Sequence, residues 1–242
     1  MIADIHSNFE AFKTVLKDLE NRGTVDQIWC LGDMIGYGPD PDNCIDLMKQ
    51  VGNICIAGNH DLASIGKISI ENFNPFAAYA NKWTQDKLEE SYKEYIATLP
   101  LKLVVGDSTI VHGSPRSPIW EYVISSKIAT INFKYFETQF CFIGHSHVPE
   151  IYTFNDLDQK CEHIQLAPNS CIKLNDNLRY IINPGSVGQP RDGNPEASYM
   201  IFNSDDLLLD YRRIPYDISS TQQKMRDYGL PEMLIERLNL GY

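Results

Sequence analysis

In the first half of the chain, short apolar segments alternate with segments of helical periodicity, and each apolar segment ends at polar residues. Apolar side chains recur at helical spacing over residues 8–22, which predicts an amphipathic helix. The β-branched and aromatic run at 25–31 predicts a strand that stops at Gly32-Asp33. A second helix is predicted at 40–51 and a second strand at 53–57. Such alternation is typical of an α/β protein.

After residue 75 the pattern shifts toward short β segments. A long helix is predicted at 75–98, a hairpin at 101–111 and a further helix at 126–136. Short strands are predicted at 139–143, 151–154, 162–165, 179–182, 197–203 and 207–213. The tail from about residue 217 is predicted to be helical, with a break at Gly229-Leu230-Pro231.

These elements predict one domain over residues 1–242 that includes the helical tail. A chain of 242 residues is long enough to bury a sizeable core, and α/β proteins of this size are commonly single domains. The early βα alternation and the later β-rich part predict two mixed β-sheets packed face to face with helices outside. The expected fold class is therefore α/β (α+β), a four-layer α/β/β/α sandwich.

Histidines concentrate where the predicted strands end. Five of the six stand there beside Gly, Asp, Asn or another His, namely His6, His60, His112, His145 and His147. A single histidine in such a place is more often a packing residue than a ligand. Five in equivalent places indicate a shared site, because strand ends in α/β sheets are where binding sites gather.

Two of these segments have the spacing of a chelate. In an extended segment residues i and i+2 project to the same face, so Asp4 with His6 and His145 with His147 are each expected to converge on one point. Glycines at 32, 58, 113 and 144 flank the polar residues and allow the backbone to turn sharply and approach a ligand. The pattern predicts a metal centre at the strand ends.

The order of these motifs resembles that of the calcineurin-like metallophosphoesterase family. The chain carries D-x-H at 4–6, G-D at 32–33, G-N-H-D at 58–61, H-G at 112–113 and G-H-x-H at 144–147. The segments 112–115, 120–122 and 183–191 resemble in particular its bacterial branch, which is related to diadenosine tetraphosphatases and small phosphodiesterases. The resemblance covers nearly the whole chain.

The resemblance implies a dinuclear metal centre. Its ligands would be Asp4, His6, Asp33 and His147 for one ion, and Asp33, Asn59, His112 and His145 for the other. Asp33 would bridge the ions, which such a carboxylate holds about 3.5–4 Å apart, and a bridging hydroxide would attack the phosphorus. Mixed imidazole, carboxylate and amide ligation suits Mn, Fe, Zn or Ni better than Mg or Ca, and Mn is the first choice.

Three further residues are candidates for contact with the substrate. The resemblance implies that His60 stabilises the phosphoryl oxygens or protonates the leaving group, although a residue that only orients Asn59 remains an alternative. Arg116 and Arg191 follow two of the motifs in loops, where a guanidinium can bind phosphate oxygens in a bidentate manner or simply be solvated. The nearby aromatic residues Tyr37, Trp120 and Tyr122 could supply a stacking surface for a base, but aromatic residues at such spacing are more often packing residues, and they are left out of the predicted site.

Charge and composition limit the kinds of binding partner that the sequence predicts. The net charge of −11 and the absence of a Lys/Arg run exclude long nucleic acid as an expected partner. No 18-residue apolar stretch exists, Asp4 comes before an apolar leader fits, and the six cysteines form no C-x-x-C pair. We therefore expect a cytoplasmic protein with reduced thiols and no membrane partner, acting on a small phosphorylated substrate.

Three functions follow from the resemblance. The first is a phosphoesterase acting on a small phosphodiester or a nucleotide polyphosphate, such as a dinucleoside tetraphosphate. The second is a Ser/Thr protein phosphatase, which is disfavoured because residues 32–37 lack the G-D-x-x-D-R-G sequence and because Asp61 replaces glutamate. The third is a non-catalytic metal-binding scaffold for protein interaction, against which the complete set of ligand residues argues.

Overall fold

Helices and strands alternate in the first half of the protein, and strands predominate in the second. The computed structural model describes residues 1–23 and 25–242. The α-helices are α1 Phe9–Arg22, α2 Pro41–Val51, α3 Asn59–Ser64, α4 Pro75–Lys87, α5 Glu90–Thr98, α6 Ser126–Asn132, α7 Ile218–Asp227 and α8 Glu232–Leu240. The strands are β1 Trp29–Cys30, β2 Ile54–Cys55, β3 Lys102–Val105, β4 Ser108–Val111, β5 Phe140–Phe142, β6 Pro149–Asn155, β7 Lys160–Ile164, β8 Cys171–Lys173, β9 Arg179–Pro184, β10 Ala197–Asn203 and β11 Leu208–Ile214.

The larger sheet contains six strands in the order β3-β4-β5-β9-β6-β7. Strand β5 pairs in parallel with β4 and β9, whereas the outer pairs are antiparallel. Parallel strands β4 and β5 therefore direct their carboxyl ends to the same edge of the sheet, which is where His112 and His145 follow.

The second layer consists of two ladders that the first residues of the chain connect. One ladder is the antiparallel set β10-β11-β8, and the other is the parallel pair β1-β2. Met200 in β10 donates its N–H to the carbonyl of Met1 over 3.1 Å, and Ile2 forms a parallel bridge with Cys30 in β1. The ladders thus form one continuous mixed sheet.

Apolar side chains pack in three layers across the two sheets. Leu31, Phe142 and Met200 belong to the cluster between the sheets. Helices α1 and α2 cover the outer face of the second sheet, where Phe12 is fully buried, and a side chain of this size contributes roughly 1.5–3 kcal/mol when buried. Helix α6 packs through Ala129 on the far face of the larger sheet. The four-layer α/β/β/α arrangement is confirmed.

Local differences from the predicted elements have physical causes. The helix expected at 75–98 is divided into α4 and α5, because Leu88 adopts an extended conformation and is buried in the core against α1 and α2. Strand β8 was not predicted because its three residues are too few for an alternating pattern to be recognised in the sequence. Among the described helices, none combines the length and the apolar character needed to cross a bilayer.

Candidate metal centre

Five segments that follow β-bridged residues or strands bring seven polar side chains together. These are Asp4, His6, Asp33, Asn59, His112, His145 and His147, and each is at most 3% exposed. Backbone hydrogen bonds hold the segments to each other: the N–H of His6 donates to the carbonyl of Asp33 over 3.0 Å, and the N–H of Gly144 donates to the carbonyl of His112 over 2.8 Å. The residues that the motifs single out are thus adjacent in space.

One group consists of Asp4, His6, Asp33 and His147, whose ligand atoms all lie within 4.8 Å of one another. Nε2 of His6 is 3.0 Å from Nε2 of His147 and 3.7 Å from Oδ2 of Asp33. Nε2 of His147 is 3.4 Å from Oδ1 of Asp4. This geometry surrounds a point that suits one cation with nitrogen and oxygen ligands.

A second group consists of Asp33, His112 and His145, whose ligand atoms also lie within 4.8 Å of one another. Nε2 of His112 lies 3.2 Å from Oδ2 of Asp33 and 3.2 Å from Oδ1 of Asn59, so the amide oxygen adjoins this group. Asp33 belongs to both groups, and the two points that could hold a cation therefore share its carboxylate.

Three of the histidines are oriented by backbone carbonyls. Nδ1 of His6 lies 3.2 Å from the carbonyl oxygen of Ile35. Nδ1 of His112 lies 2.9 Å from the carbonyl oxygen of Leu31, and Nδ1 of His147 lies 2.6 Å from that of Gln189. A neutral imidazole that donates from Nδ1 presents the lone pair of Nε2 to the centre, which is the tautomer that metal-binding histidines require.

Two buried atoms at the centre have no hydrogen-bond partner among the described residues, Oδ2 of Asp33 and Nε2 of His145. A buried polar atom without a partner costs about 1–3 kcal/mol, and more when it is charged. A divalent cation satisfies an imidazole nitrogen and a carboxylate oxygen together. The residues therefore fit metal ions by their chemistry and by the atoms that they leave unsatisfied.

The chelating segments are not extended, so the expected reason for their convergence was wrong. Asp4, His6, Asp33, His145 and His147 have φ of 52°, 49°, 52°, 69° and 60°, in the left-handed region. Such a conformation costs a residue other than glycine roughly 1–3 kcal/mol and persists only where the surroundings enforce it. Hydrogen bonds between the segments, rather than the alternation of a strand, direct these side chains inward.

Two flanking glycines are required by close approach. A Cβ at Gly58 would lie 2.1 Å from Oδ1 of Asp33, and one at Gly32 would lie 2.8 Å from Nδ1 of His112. Gly32 also has φ of +94°. Any side chain at these positions would displace a candidate ligand. The packing therefore explains why glycine, predicted to allow close approach of the backbone, stands at these two positions.

Burial and mutual charge dominate the electrostatics of the centre. Burial raises the pKa of Asp4 to about 8 and lowers the pKa of His60 to about 4 and that of His145 to about 3. Burial opposes ionisation of Asp33 as well, but the nearby His112 and His60 hold its pKa well below the usual range. Asp33 in turn raises the pKa of His112 to about 9 despite burial. The site is one in which positive charge near Asp33 is strongly stabilised.

His60 borders the centre without belonging to either group. Its backbone N–H donates to Oδ1 of Asp33 over 2.8 Å, and its Nδ1 lies 3.1 Å from Oδ1 of Asn81. The ring contacts Tyr37 at a centroid distance of 4.3 Å and Phe73 at 4.9 Å. The main chain of His60 is therefore held by Asp33, and its side chain is held by Asn81 at the wall of an open cavity.

The cavity has a volume of about 220 Å³ and opens beside the candidate ligands. Its walls are formed by Tyr37, Asn59, His60, Asn72, Phe73, Asn74, Trp120, Tyr122, Arg191 and Arg237. Asn59 and His60 connect it to the metal centre, so a molecule in the cavity would reach the centre directly.

The two loop arginines predicted to bind phosphate have different environments. Arg191 lines the cavity, donates to Oε1 of Gln189 over 3.0 Å and has a buried Nε with no partner among the described residues. Arg116 does not line it: its guanidinium forms an ion pair with Glu121, and its N–H donates to Oδ1 of Asn132 over 3.1 Å. Arg116 thus orders the loop after His112 instead of facing the centre.

Several residues at the cavity were not assigned to a site from the sequence. Tyr37, Trp120 and Tyr122 were expected to be packing residues, yet all three line the cavity, and Tyr122 stacks on His145 with centroids 3.9 Å apart. Arg237 also lines it, although it lies in α8, far in sequence from the motifs. An arginine on an amphipathic surface helix carries no signal of a site, so only the packing of α8 reveals it.

Comparison with known proteins identifies the family of the chain. The model of the calcineurin-like phosphoesterase family matches residues 1–149. The crystal structure of a metallophosphoesterase from Sphaerobacter thermophilus is 44% identical with a TM-score of 0.88, and the match covers 100% of this chain and 98% of that one. An uncharacterized protein of Methanocaldococcus jannaschii is 39% identical, over 100% of this chain and 97% of its own length. The symmetrical bis(5'-nucleosyl)-tetraphosphatase of Proteus mirabilis is 27% identical over 53% of this chain and 48% of that protein. The chain therefore belongs to the calcineurin-like phosphoesterase family and is a hydrolase of phosphate esters.

Proposed function

We propose that the protein hydrolyses a small phosphodiester or a nucleotide polyphosphate with the help of two transition-metal ions, Mn²⁺ being the preferred ion. The observation that carries this proposal is the carboxylate of Asp33, which belongs to both ligand groups and whose buried Oδ2, 3.2 Å from Nε2 of His112, forms no hydrogen bond with the described residues. A site for a single ion would have one group of ligands, whereas a carboxylate that belongs to two groups can bind two ions.

The seven clustered side chains would hold the metal ions. Asp4, His6, Asp33 and His147 would bind one, and Asp33, Asn59, His112 and His145 the other. When bound, two such cations neutralise the phosphoryl oxygens and lower the pKa of water so that it attacks at neutral pH. The protein contributes fixed ligand positions, which its inter-segment hydrogen bonds and oriented imidazoles provide.

His60 is assigned to the phosphoryl oxygens or the leaving group. Asn81 binds Nδ1, so Nε2 is the nitrogen available to a molecule in the cavity that His60 lines. A positioned histidine of this kind typically contributes 10²–10⁴-fold to a rate, on the order of 3–5 kcal/mol. The alternative is a role limited to positioning Asp33, to which its backbone N–H donates.

Arg191 is assigned to a non-bridging phosphate oxygen. Its guanidinium lines the cavity, and its buried Nε lacks an acceptor among the described residues. A phosphate oxygen would supply that acceptor, and the hydrogen bond would be charge-assisted. Arg116, which is occupied by Glu121, is not assigned to the substrate.

The size and lining of the cavity favour a small substrate with an aromatic group. About 220 Å³ accommodates part of a nucleotide, and Phe73, Trp120 and Tyr122 supply aromatic faces. The Proteus mirabilis relative is, by its name, a hydrolase of a dinucleoside tetraphosphate. Dinucleoside polyphosphates are accordingly the first natural substrates to test.

The deciding experiment is hydrolysis of bis(p-nitrophenyl) phosphate by chelator-stripped protein with and without added Mn²⁺. Asp33→Asn tests the shared carboxylate, and Asp86→Asn, which alters an exposed aspartate on α4, is the matched control. The proposal expects Mn-dependent turnover that Asp33→Asn abolishes and Asp86→Asn keeps. Metal binding without turnover for any transition metal would favour the non-catalytic scaffold.

A further inference from the structure

Two arginines from distant parts of the chain meet at one wall of the cavity. Arg191 lies in the loop after β9, and Arg237 lies in the last helix, α8. Both line the cavity together with Asn59 and His60, and both are half-buried. The cavity therefore carries two positive charges in addition to any metal ions at its base.

Neither arginine pairs with an Asp or Glu side chain among the described residues. No side-chain carboxylate oxygen there lies within 4.0 Å of either guanidinium, whereas Arg226 on the neighbouring helix pairs with both Glu232 and Glu236 at 2.8 Å. Arg237 donates from Nε to the main-chain oxygen of Tyr242, and its two terminal nitrogens form no hydrogen bond with the described residues. Burial, followed by the charge of Arg191, lowers the pKa of Arg237 to about 10. Two partly buried like charges repel each other, and an anion bound between them relieves that repulsion.

The two arginines are held in a fixed relation. The N–H of Gly193 donates to the carbonyl of Gly241 at the end of α8 over 2.9 Å. Gly241 has φ of +69°, and a Cβ there would lie 2.7 Å from the backbone of Asn194. The end of α8 is therefore docked on the loop that carries Arg191, so the positions of the two guanidiniums are determined by the fold.

We propose that Arg237, beside Arg191, forms a subsite for a second phosphoryl group, adjacent to the one that is hydrolysed. The ligand class is a nucleotide with two or more consecutive phosphoryl groups, because a phosphoryl group at the metal centre that binds Arg191 leaves the terminal nitrogens of Arg237 without an acceptor. This inference rests on the proposed function and deepens it. Helix α8 thereby becomes part of the substrate site.

The test measures binding and turnover separately. Binding of adenosine diphosphate and adenosine monophosphate is measured by titration calorimetry at the same free Mn²⁺ concentration. Wild-type protein should bind the diphosphate about tenfold more tightly, the value of one charge-assisted hydrogen bond of moderate strength. Arg237→Met, which keeps the aliphatic stem, should remove that advantage, and Arg237→Lys should recover part of it.

Arg226→Met is the matched control, because it removes the same charge from the adjacent helix outside the cavity. It should keep the preference for the diphosphate. If Arg237→Met weakens the binding of both nucleotides equally, or of neither, while circular dichroism shows a folded protein, the proposed subsite is wrong.

Turnover distinguishes the subsite from the reaction itself. Arg237→Met should raise the KM of a dinucleoside tetraphosphate at least about tenfold more than that of bis(p-nitrophenyl) phosphate, which carries one phosphoryl group. If wild-type protein hydrolyses neither compound, the proposed function is wrong. A diphosphate preference that depends on Arg237 would still support the subsite in that case.

Discussion

The backbone N–H of His60 donates a 2.8 Å hydrogen bond to Oδ1 of Asp33. This bond occupies one carboxylate oxygen and leaves Oδ2, which lies 3.2 Å from Nε2 of His112, for the centre. The first residues of α3 thus orient the carboxylate that both ligand groups share, and the same residue places its imidazole at the cavity.

Replacement of Asp33 by Asn should remove metal binding rather than only slow the reaction. The amide keeps the shape but lacks the charge that two cations need, so we expect at least one metal ion to be lost and turnover to fall at least about 10³-fold. Metal content by inductively coupled plasma mass spectrometry, with Asp86→Asn measured alongside, checks this. Full occupancy in Asp33→Asn would refute the bridging role.

Replacement of His60 by Ala should retain both metal ions and lose turnover by about 10²–10⁴-fold. The reason is that the substitution removes the imidazole but keeps the backbone N–H that orients Asp33. Metal content and kcat on bis(p-nitrophenyl) phosphate are the two readouts. Wild-type turnover would limit His60 to positioning, and loss of metal would assign it to the ligand shell.

Removal of the metal ions should lower thermal stability. The folded protein keeps buried ligand atoms and left-handed backbone at the centre, and a cation that binds only the folded state stabilises it by about 2.7 kcal/mol at 100 times its Kd. We expect Tm to rise with Mn²⁺ concentration after chelator treatment. A Tm that does not respond to any transition metal would contradict the fit of these residues to a cation.

The ion pair that orders the loop after His112 should depend on pH. Partial burial disfavours the charge of Glu121, but hydrogen bonds from Arg116, Ser114 and Asn132 outweigh it and lower the pKa of Glu121 to about 2. Because the folded pKa is depressed, this stabilisation is present above about pH 4.5, the usual range of a glutamate, and is lost as the pH falls toward about 2.

Glu121→Gln should therefore lower Tm by about 2–4 °C at pH 7, and the difference from wild type should shrink below about pH 4. Thermal melts at pH 7 and pH 3 measure this. Glu162→Gln is a suitable control, since Glu162 is exposed and, among the described residues, forms an ion pair only with the exposed Lys160 in β7. Equal melting temperatures of Glu121→Gln and wild type at pH 7 would show that the pair contributes nothing.

The identity of the clustered residues was predictable because short motifs place them at strand ends. The α/β architecture followed from periodicity, and the family resemblance named candidate ligands that the structure brings close together. The backbone of Asp4 and His6 was not predictable, because its left-handed conformation is enforced by hydrogen bonds to residues 32–34. Arg237 was not predictable either, since its place depends on how α8 packs.

The connection between the two ladders of the second sheet, which residues 1–2 form, affects the order of folding. Met1 is paired with Met200, 199 positions later in the chain, and the segment that carries Asp4 is further held by the N–H groups of Val187 and Gly188. Contacts between such distant positions form late, because a long loop must close first. We therefore expect the nascent chain to remain unable to assemble its metal centre until β10 has left the ribosome, so that metal loading requires a part of the chain that lies far beyond the last candidate ligand, His147.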